Sequence, residues 1–135
     1  MDMSSSKTQL IDLAKTAMTF SYSPYSKKKI GAALLLSNGK SYSGCNVENA
    51  SYGGTVCAER VAIWKAVSEN KEVHISEVVV VSDSEKPWPP CGFCRQVMAE
   101  FASPETLVTL INLQNKSKTL KFSDLFPEAF GPASF

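Results

Sequence analysis

Residues 76–102 read SEVVVVSDSEKPWPPCGFCRQVMAEFA, and this stretch decides the fold. Residues 78–81 of this stretch are four consecutive valines, a continuous apolar run typical of a central strand that is covered on both faces of a sheet. The pair Pro89-Pro90 interrupts the pattern, and a helical segment led by Cys91 and Cys94 follows. A strand, a loop and a helix in this order put the two cysteines at one end of a sheet, where functional sites of such folds usually lie.

The apolar pattern on either side of this stretch predicts three further helices and three further strands. The segments are a helix at 10–18, strands at 30–36, 40–46 and 106–113, a helix from Cys57 to about Glu69, and a short helix with an aromatic tail at 123–135. An Asn-Gly pair between the first two strands is a strong hairpin signal. The main elements run α-β-β-α-β-α-β, which fits a mixed sheet with helices packed on it.

Side-chain spacing also predicts which residues are buried. In the helix that starts near Cys57, Val61, Trp64 and Val67 recur at helical spacing and are expected to form its buried stripe. His74 lies in a polar segment far from the cysteine motifs, so we expect it at the surface.

Length and charge narrow the class of protein. A chain of 135 residues is most simply one domain, 1–135, and is long enough to bury a core. The formal net charge of +1 provides no basic surface for nucleic acid, so we expect no nucleic-acid partner. No apolar run is long enough to cross a membrane, and the start lacks the pattern of a signal peptide. We therefore expect a cytoplasmic protein whose residues at about 1–6 are flexible.

The four cysteines are the strongest chemical signal. In the cytosol we expect no disulfide framework, which favours metal binding or catalysis for these cysteines. Cys91 and Cys94 have C-x-x-C spacing at the start of a helix, where both thiolates can face one ion. Cys57 heads another helix and completes three ligands if the two helix starts lie side by side.

Cys45 is the remaining candidate ligand. It lacks C-x-x-C spacing with Cys57, and in its strand-like segment it should face away from Asn46, toward the core. Three thiolates with one open position describe a catalytic zinc site, with one zinc per chain. A non-catalytic module in which Cys45 closes a four-cysteine zinc site is the alternative, and a carboxylate beside the metal argues against it.

That carboxylate is Glu59. Two residues after Cys57, it can reach a water molecule at the open position of the metal and act as general acid and base. Arg60 and Arg95 each follow a cysteine directly or closely, and we expect them to offset the negative charge of the thiolates. A surface ion pair is an equally good interpretation of either arginine taken singly.

These motifs together resemble the short-chain type of cytidine deaminase with three cysteine ligands. The resemblance rests on CAE at 57–59 and PCGFCRQ at 90–96, and extends through SYSPYS, IGAALL, GCNVENASY and AFGP. It implies a single-domain, α-β-α layered α/β fold with a mixed sheet of about five strands. It also implies zinc-dependent hydrolysis of cytidine and 2′-deoxycytidine to the uridine forms with release of ammonia, in pyrimidine salvage.

Several residue roles come only from this resemblance. Asn46 and Glu48 would bind the sugar hydroxyls of the nucleoside, and the backbone of Ala58 would help to hold the pyrimidine carbonyl. Tyr52 and Phe130 match positions that reach across a subunit boundary, with the phenylalanine stacking on the base. The implied assembly is a homotetramer whose sites are shared between subunits.

Two positions depart from the family pattern. Lys28 stands where an aromatic residue usually lines the nucleoside pocket, and Phe93 is bulkier than the small residue often found between the two cysteines. A deaminase of nucleoside-like antibiotics therefore stays an alternative, although Glu48 favours a true ribose. A deaminase acting on polynucleotide is disfavoured by the near-neutral charge. Trp88, just before PPC, is a candidate for the pocket rim that the pattern does not decide.

Overall fold

The computed structural model describes residues 3–135, with side chains from Ser6 onward. The helices and strands, in chain order, are α1 (Met3–Met18), β1 (Ile30–Leu36), β2 (Ser41–Cys45), α2 (Ala58–Glu69), β3 (Ile75–Ser82), α3 (Gly92–Phe101), β4 (Ala102–Asn112), β5 (Ser117–Lys121) and α4 (Phe122–Leu125). Two short 3-10 helices, Tyr52–Gly54 and Pro132–Ser134, complete the secondary structure of this part of the chain. Within it, no helix has the length and apolar character needed to cross a membrane.

The strands form one mixed sheet in the order β2-β1-β3-β4-β5. β1 pairs antiparallel with both β2 and β3, β3 pairs parallel with β4, and β4 pairs antiparallel with β5. α3 connects the parallel pair, as a crossover helix must, because parallel strands cannot be joined by a tight turn. The sheet is the predicted mixed sheet of about five strands.

The helices cover both faces of this sheet, which confirms the α-β-α layering. Alternate valines of β3 divide between two apolar clusters, since successive side chains of a strand point to opposite faces. Val79 and Val81 pack with the α1 side chains, whereas Val78 and Val80 pack with residues of α2, α3 and α4. The continuous valine run therefore belongs to a central strand covered on both sides, as its pattern predicts.

The predicted buried stripe of α2 is wrong at Trp64 and Val67, whereas Val61 is half-buried against Gly44. Trp64 is 49% exposed and Val67 is also exposed, while the buried apolar side chains of this helix include Ala62 and Ile63. The reason is a close approach of α2 to the sheet: a Cβ atom on Gly44 would lie 2.7 Å from the backbone of Ala58. Close to Gly44 there is no room for a bulky aromatic side chain between α2 and β2, so Trp64 faces outward.

Other differences are smaller. β5 is a short edge strand that no sequence pattern indicated, because its lysines and serine give no apolar alternation. β4 begins at Ala102, four residues before the predicted start. His74 is exposed, as expected. The flexible start expected for residues about 1–6 stays a prediction: residues 1 and 2 lie outside the described residues, and α1 begins at Met3.

Candidate active site

The structure brings three sulfur atoms together at the starts of two helices. Cys57 immediately precedes α2, Cys91 immediately precedes α3, and Cys94 lies in the first turn of α3. The three Sγ atoms all lie within 4.8 Å of one another, and those of Cys57 and Cys91 are 3.9 Å apart. Cys45 is not part of this cluster; it is half-buried, beside α1 and α2. This arrangement does not fit the closed four-cysteine site.

The cluster fits a zinc ion. Sulfur atoms bound tetrahedrally to zinc at about 2.3 Å lie about 3.8 Å apart, close to the distance between Cys57 and Cys91. Both helices present their N-terminal ends, whose free backbone N–H groups stabilise negative charge. Three thiol donors leave one of the four tetrahedral positions for water or substrate, which is the pattern of catalytic zinc sites.

Charge is unevenly shared among the sulfurs. A hydrogen bond from Cys94 and the Arg60 guanidinium, against the opposing effect of burial, lower the pKa of Cys57 to about 5. The same hydrogen bond and burial raise the pKa of Cys94. At neutral pH the Cys57 sulfur is therefore a thiolate, which is the form that binds a metal.

Glu59 lies beside the sulfurs at the base of a pocket. It is the second residue of α2, and only 5% of its surface is exposed. Burial disfavours the charged carboxylate and raises the pKa of Glu59 to about 7, with the nearby Cys57 thiolate adding to the effect. A carboxyl group with this pKa can both accept and release a proton near neutral pH, as a general acid and base must.

The two arginines have different partners. Arg60 donates from Nη2 to Cys57 Sγ at 3.4 Å, so it does lie against a sulfur as expected. Arg95 instead donates from Nε to the carbonyl oxygen of Pro90 at 2.9 Å and from Nη1 to that of Leu125. The expectation that Arg95 offsets sulfur charge is thus not met by these contacts. Its guanidinium fixes the backbone just before Cys91 and ties it to α4.

The pocket above this cluster measures about 320 Å³, within the usual range for small-molecule sites. Its lining residues, in chain order, are Ser26, Lys28, Ile30, Asn46, Glu48, Thr55, Val56, Cys57, Glu59, Val80, Trp88, Pro89 and Cys91. A larger cavity of about 460 Å³ lies under the C-terminal segment, but none of the predicted site residues lines it. The chemistry therefore assigns the site to the smaller pocket.

Asn46 and Glu48 line the pocket and also hold a loop in place. The Asn46 amide donates to the Lys28 carbonyl oxygen at 2.8 Å and accepts from the Ile30 N–H at 3.0 Å. Glu48 accepts from the backbone N–H groups of Tyr25 and Ser26 at 2.9 and 3.1 Å. Hydrogen bonds from Ser26, above all from its hydroxyl, lower the pKa of Glu48. This anchoring of the loop is a role that sequence reasoning missed.

Three other predicted residues lie outside the pocket lining. The side chain of Ala58 is fully buried, and its backbone N–H belongs to the first turn of α2, where N–H groups lack partners within the helix. Tyr52 is 81% exposed and Phe130 is 60% exposed, with the Phe130 ring in edge contact with Phe135. The single chain thus does not bring these two aromatic rings into the site.

Trp88 is the aromatic residue that lies against Lys28 in the pocket. Both residues line the pocket, and the Lys28 ammonium lies 5.9 Å from the centre of the Trp88 ring, within the range of a cation–π contact. The signal in the sequence was the position of Trp88 just before PPC, but only the fold brings it opposite Lys28.

Comparisons with known proteins agree with this geometry. The family model for the cytidine and deoxycytidylate deaminase zinc-binding region matches residues 4–110. The chain is 47% identical over 124 residues to a cytidine deaminase of Halalkalibacterium halodurans, covering 92% of this chain and 93% of the relative. A probable cytidine deaminase of Dictyostelium discoideum is 48% identical over 98 residues, which cover 72% of this chain and 66% of the relative.

Solved structures agree in the same way. A cytidine deaminase from Burkholderia pseudomallei matches with a TM-score of 0.86 and 44% identity, over 91% of this chain and 98% of that one. A cytidine deaminase from Mycobacterium tuberculosis matches with a TM-score of 0.77 and 35% identity, over 93% and 97% of the two chains. The α/β fold of this chain is therefore the fold of those proteins.

The sulfur cluster predicts which cysteine substitutions release metal. Cys91→Ser should lose most of its zinc, because two thiol ligands hold the ion far less tightly than three. Cys45→Ser is the matched control and should keep about one zinc per chain. Elemental analysis after dialysis against a chelator measures both. Equal zinc loss in the two variants would contradict a three-cysteine site.

Proposed function

This chain belongs to the cytidine and deoxycytidylate deaminase zinc-binding family, and from that premise we propose that its pocket binds cytidine or 2′-deoxycytidine for hydrolytic deamination. The products are uridine or 2′-deoxyuridine and ammonia, and the cofactor is zinc. The observation that carries the proposal is the buried Glu59 carboxyl group beside three clustered sulfurs at the base of a nucleoside-sized pocket.

The proposed metal ligands are Cys57, Cys91 and Cys94. Zinc, when bound, supplies the Lewis acidity that makes water a nucleophile at neutral pH. Three thiolates more than neutralise the charge of the ion and weaken that acidity. The Arg60 guanidinium, at 3.4 Å from Cys57 Sγ, withdraws part of the sulfur charge and so supports it.

Glu59 is the proposed proton carrier. It accepts a proton from the attacking water while the oxygen adds to C4 of the base, and it delivers that proton to ring N3. It then takes the second proton of the added oxygen and passes it to the exocyclic nitrogen, which leaves as ammonia as the C4–N bond breaks. The balance is one water consumed and one ammonia released, with Glu59 returned to its starting state. Its pKa of about 7 suits both directions of transfer.

The proposed sugar contacts come from two residues that line the pocket, and the proposed base contact comes from the start of α2. The Asn46 amide has two N–H donors, of which one is used by the Lys28 carbonyl, so the other remains for a sugar hydroxyl. The ionised Glu48 carboxylate accepts a hydroxyl from the same sugar. The backbone N–H of Ala58, at the positive end of α2, holds the pyrimidine carbonyl oxygen.

Assembly and biological setting are the finer parts of the proposal. We expect a cytoplasmic homotetramer acting in pyrimidine salvage, in which Tyr52 and Phe130 reach a neighbouring subunit's pocket and Phe130 stacks on the base. Their high exposure in the single chain supports this arrangement. The exposed Trp64 and Phe20 side chains add apolar surface that a partner subunit can cover.

Removing the proton carrier should separate catalysis from metal binding. Glu59→Gln keeps the size of the side chain but cannot accept a proton, so turnover of cytidine should fall by about 10²–10⁴-fold. Zinc content should stay near one per chain, because Glu59 is not a ligand. Loss of the cytidine ultraviolet absorbance measures turnover. A variant that keeps half of its activity would exclude this role.

Glu48 should matter for the sugar and not for the ring. In the inactive Glu59→Gln background, adding Glu48→Ala should weaken calorimetric binding of cytidine by about tenfold or more, with little effect on free cytosine. Ser26→Ala is the matched control, because it removes a loop contact of Glu48 and keeps the carboxylate. Equal weakening for nucleoside and base would argue against a sugar contact.

Shared sites should be detectable by mixing variants. Glu59→Gln and Phe130→Ala subunits, each impaired alone, should regain activity when refolded together, because a hybrid site combines an intact Glu59 with a neighbour's intact Phe130. A mixture of Glu59→Gln and Glu59→Ala should stay inactive. Light scattering should give the mass of four chains, and a fully active monomer would end the shared-site proposal.

A further inference from the structure

Phe93 lies between the two cysteines of the C-x-x-C motif, and its ring packs on the Arg60 guanidinium. We infer that Phe93 is a positioning residue that holds the Arg60 guanidinium against the Cys57 sulfur. The inference rests on the proposed zinc site, and it concerns how this chain sets the electron donation of one ligand.

The stacking geometry carries the argument. The guanidinium carbon of Arg60 lies 4.0 Å from the centre of the Phe93 ring and 5.9 Å from the centre of the Trp64 ring. A guanidinium within about 6 Å of an aromatic face makes a cation–π contact, and the Phe93 contact is well inside that range. The planar group is thus held mainly by Phe93, with Trp64 as a more distant second face.

The exposed fractions of Phe93 and Arg60 show which of the two side chains is covered by the other. Phe93 is 61% exposed, whereas Arg60 is buried, with 8% exposed. Phe93 is therefore not placed by burial in the core. Its ring shields a charged group from water, which strengthens the electrostatic interaction of that group with the adjacent sulfur.

The hydrogen bonds of Arg60 explain why a stacking partner is needed. Its Nη2 donates to Cys57 Sγ at 3.4 Å, but its Nε is buried and has no hydrogen-bond partner among the described residues. A buried donor without a partner favours movement of the side chain toward water. A single hydrogen bond to sulfur leaves the guanidinium free to rotate about that bond. The aromatic face of Phe93 fixes the plane of the guanidinium.

Loss of this positioning should increase the electron density on the Cys57 sulfur. Without Phe93, the guanidinium is free to turn toward solvent, and the Cys57 sulfur loses an N–H donor. The sulfur then becomes a stronger electron donor and a better target for protons and other electrophiles. Arg60 does not itself line the pocket, so its effect reaches the pocket through the Cys57 sulfur, which does.

Cobalt(II) exchanged into the site reports the sulfur directly. In Phe93→Ala, the sulfur-to-cobalt charge-transfer band should shift to longer wavelength, and zinc release to a chelator should be about two- to fivefold faster. Phe93→Tyr keeps an aromatic face and should behave as the parent protein. Phe93→Leu keeps apolar cover without the π face and should behave as Phe93→Ala. Leu113→Ala removes another exposed apolar side chain, outside the cysteine cluster and the pocket lining, and is the control for surface effects.

A double-mutant cycle tests whether Phe93 acts through Arg60. Arg60→Gln alone should shift the cobalt band in the same direction, and adding Phe93→Ala should produce little further change. Additive effects, or a Phe93→Ala spectrum and release rate equal to those of the parent, would overturn the inference. If Phe93→Ala does not fold, Phe93→Leu and Phe93→Tyr make the same comparison. These measurements need no substrate. Failure to deaminate cytidine would therefore refute the proposed function but would not decide whether Phe93 positions Arg60.

Discussion

The confinement of three sulfur atoms to within 4.8 Å of one another is the constraint on which the rest of the site depends. Neighbouring thiolates repel each other, so this cluster is stable only where positive charge faces it. The N-terminal ends of α2 and α3 supply part of that charge, the Arg60 guanidinium supplies more, and a bound zinc ion supplies the largest part. The sheet makes the convergence possible by holding both helices on one face with their starts at the same end.

The same convergence sets the behaviour of Glu59. Because α2 lies so close to β2 that only glycine fits at position 44, the first turn of the helix is pressed into the interior and its carboxyl group is buried. Burial and the adjacent thiolate both disfavour its charged form, which moves its pKa toward neutrality. Packing between a helix and a strand thus prepares the group for the proposed proton transfer.

Two polar residues in the upper part of the pocket each have two structural roles. Asn46 and Glu48 hold the loop at residues 21–29 through backbone hydrogen bonds and at the same time face the pocket. That loop carries Lys28 to the face of Trp88, so a cation–π pair forms part of the pocket wall. Pocket shape and the proposed sugar contacts are therefore coupled, since a change in either polar side chain would alter both.

The sequence by itself determined the features that depend on local spacing. These are the strand with four valines, the hairpin at Asn38-Gly39, and the position of the cysteines and Glu59 at the starts of two helices. Local spacing also favoured three sulfur ligands over four, and the family resemblance extended the prediction to the layered fold. Only the tertiary structure decided that Trp64 faces outward, that Arg95 binds backbone carbonyls, and that Trp88 meets Lys28. Helical and strand periods describe which residues share a face, but the distance between two packed elements and the partner across that distance depend on residues far away in the chain.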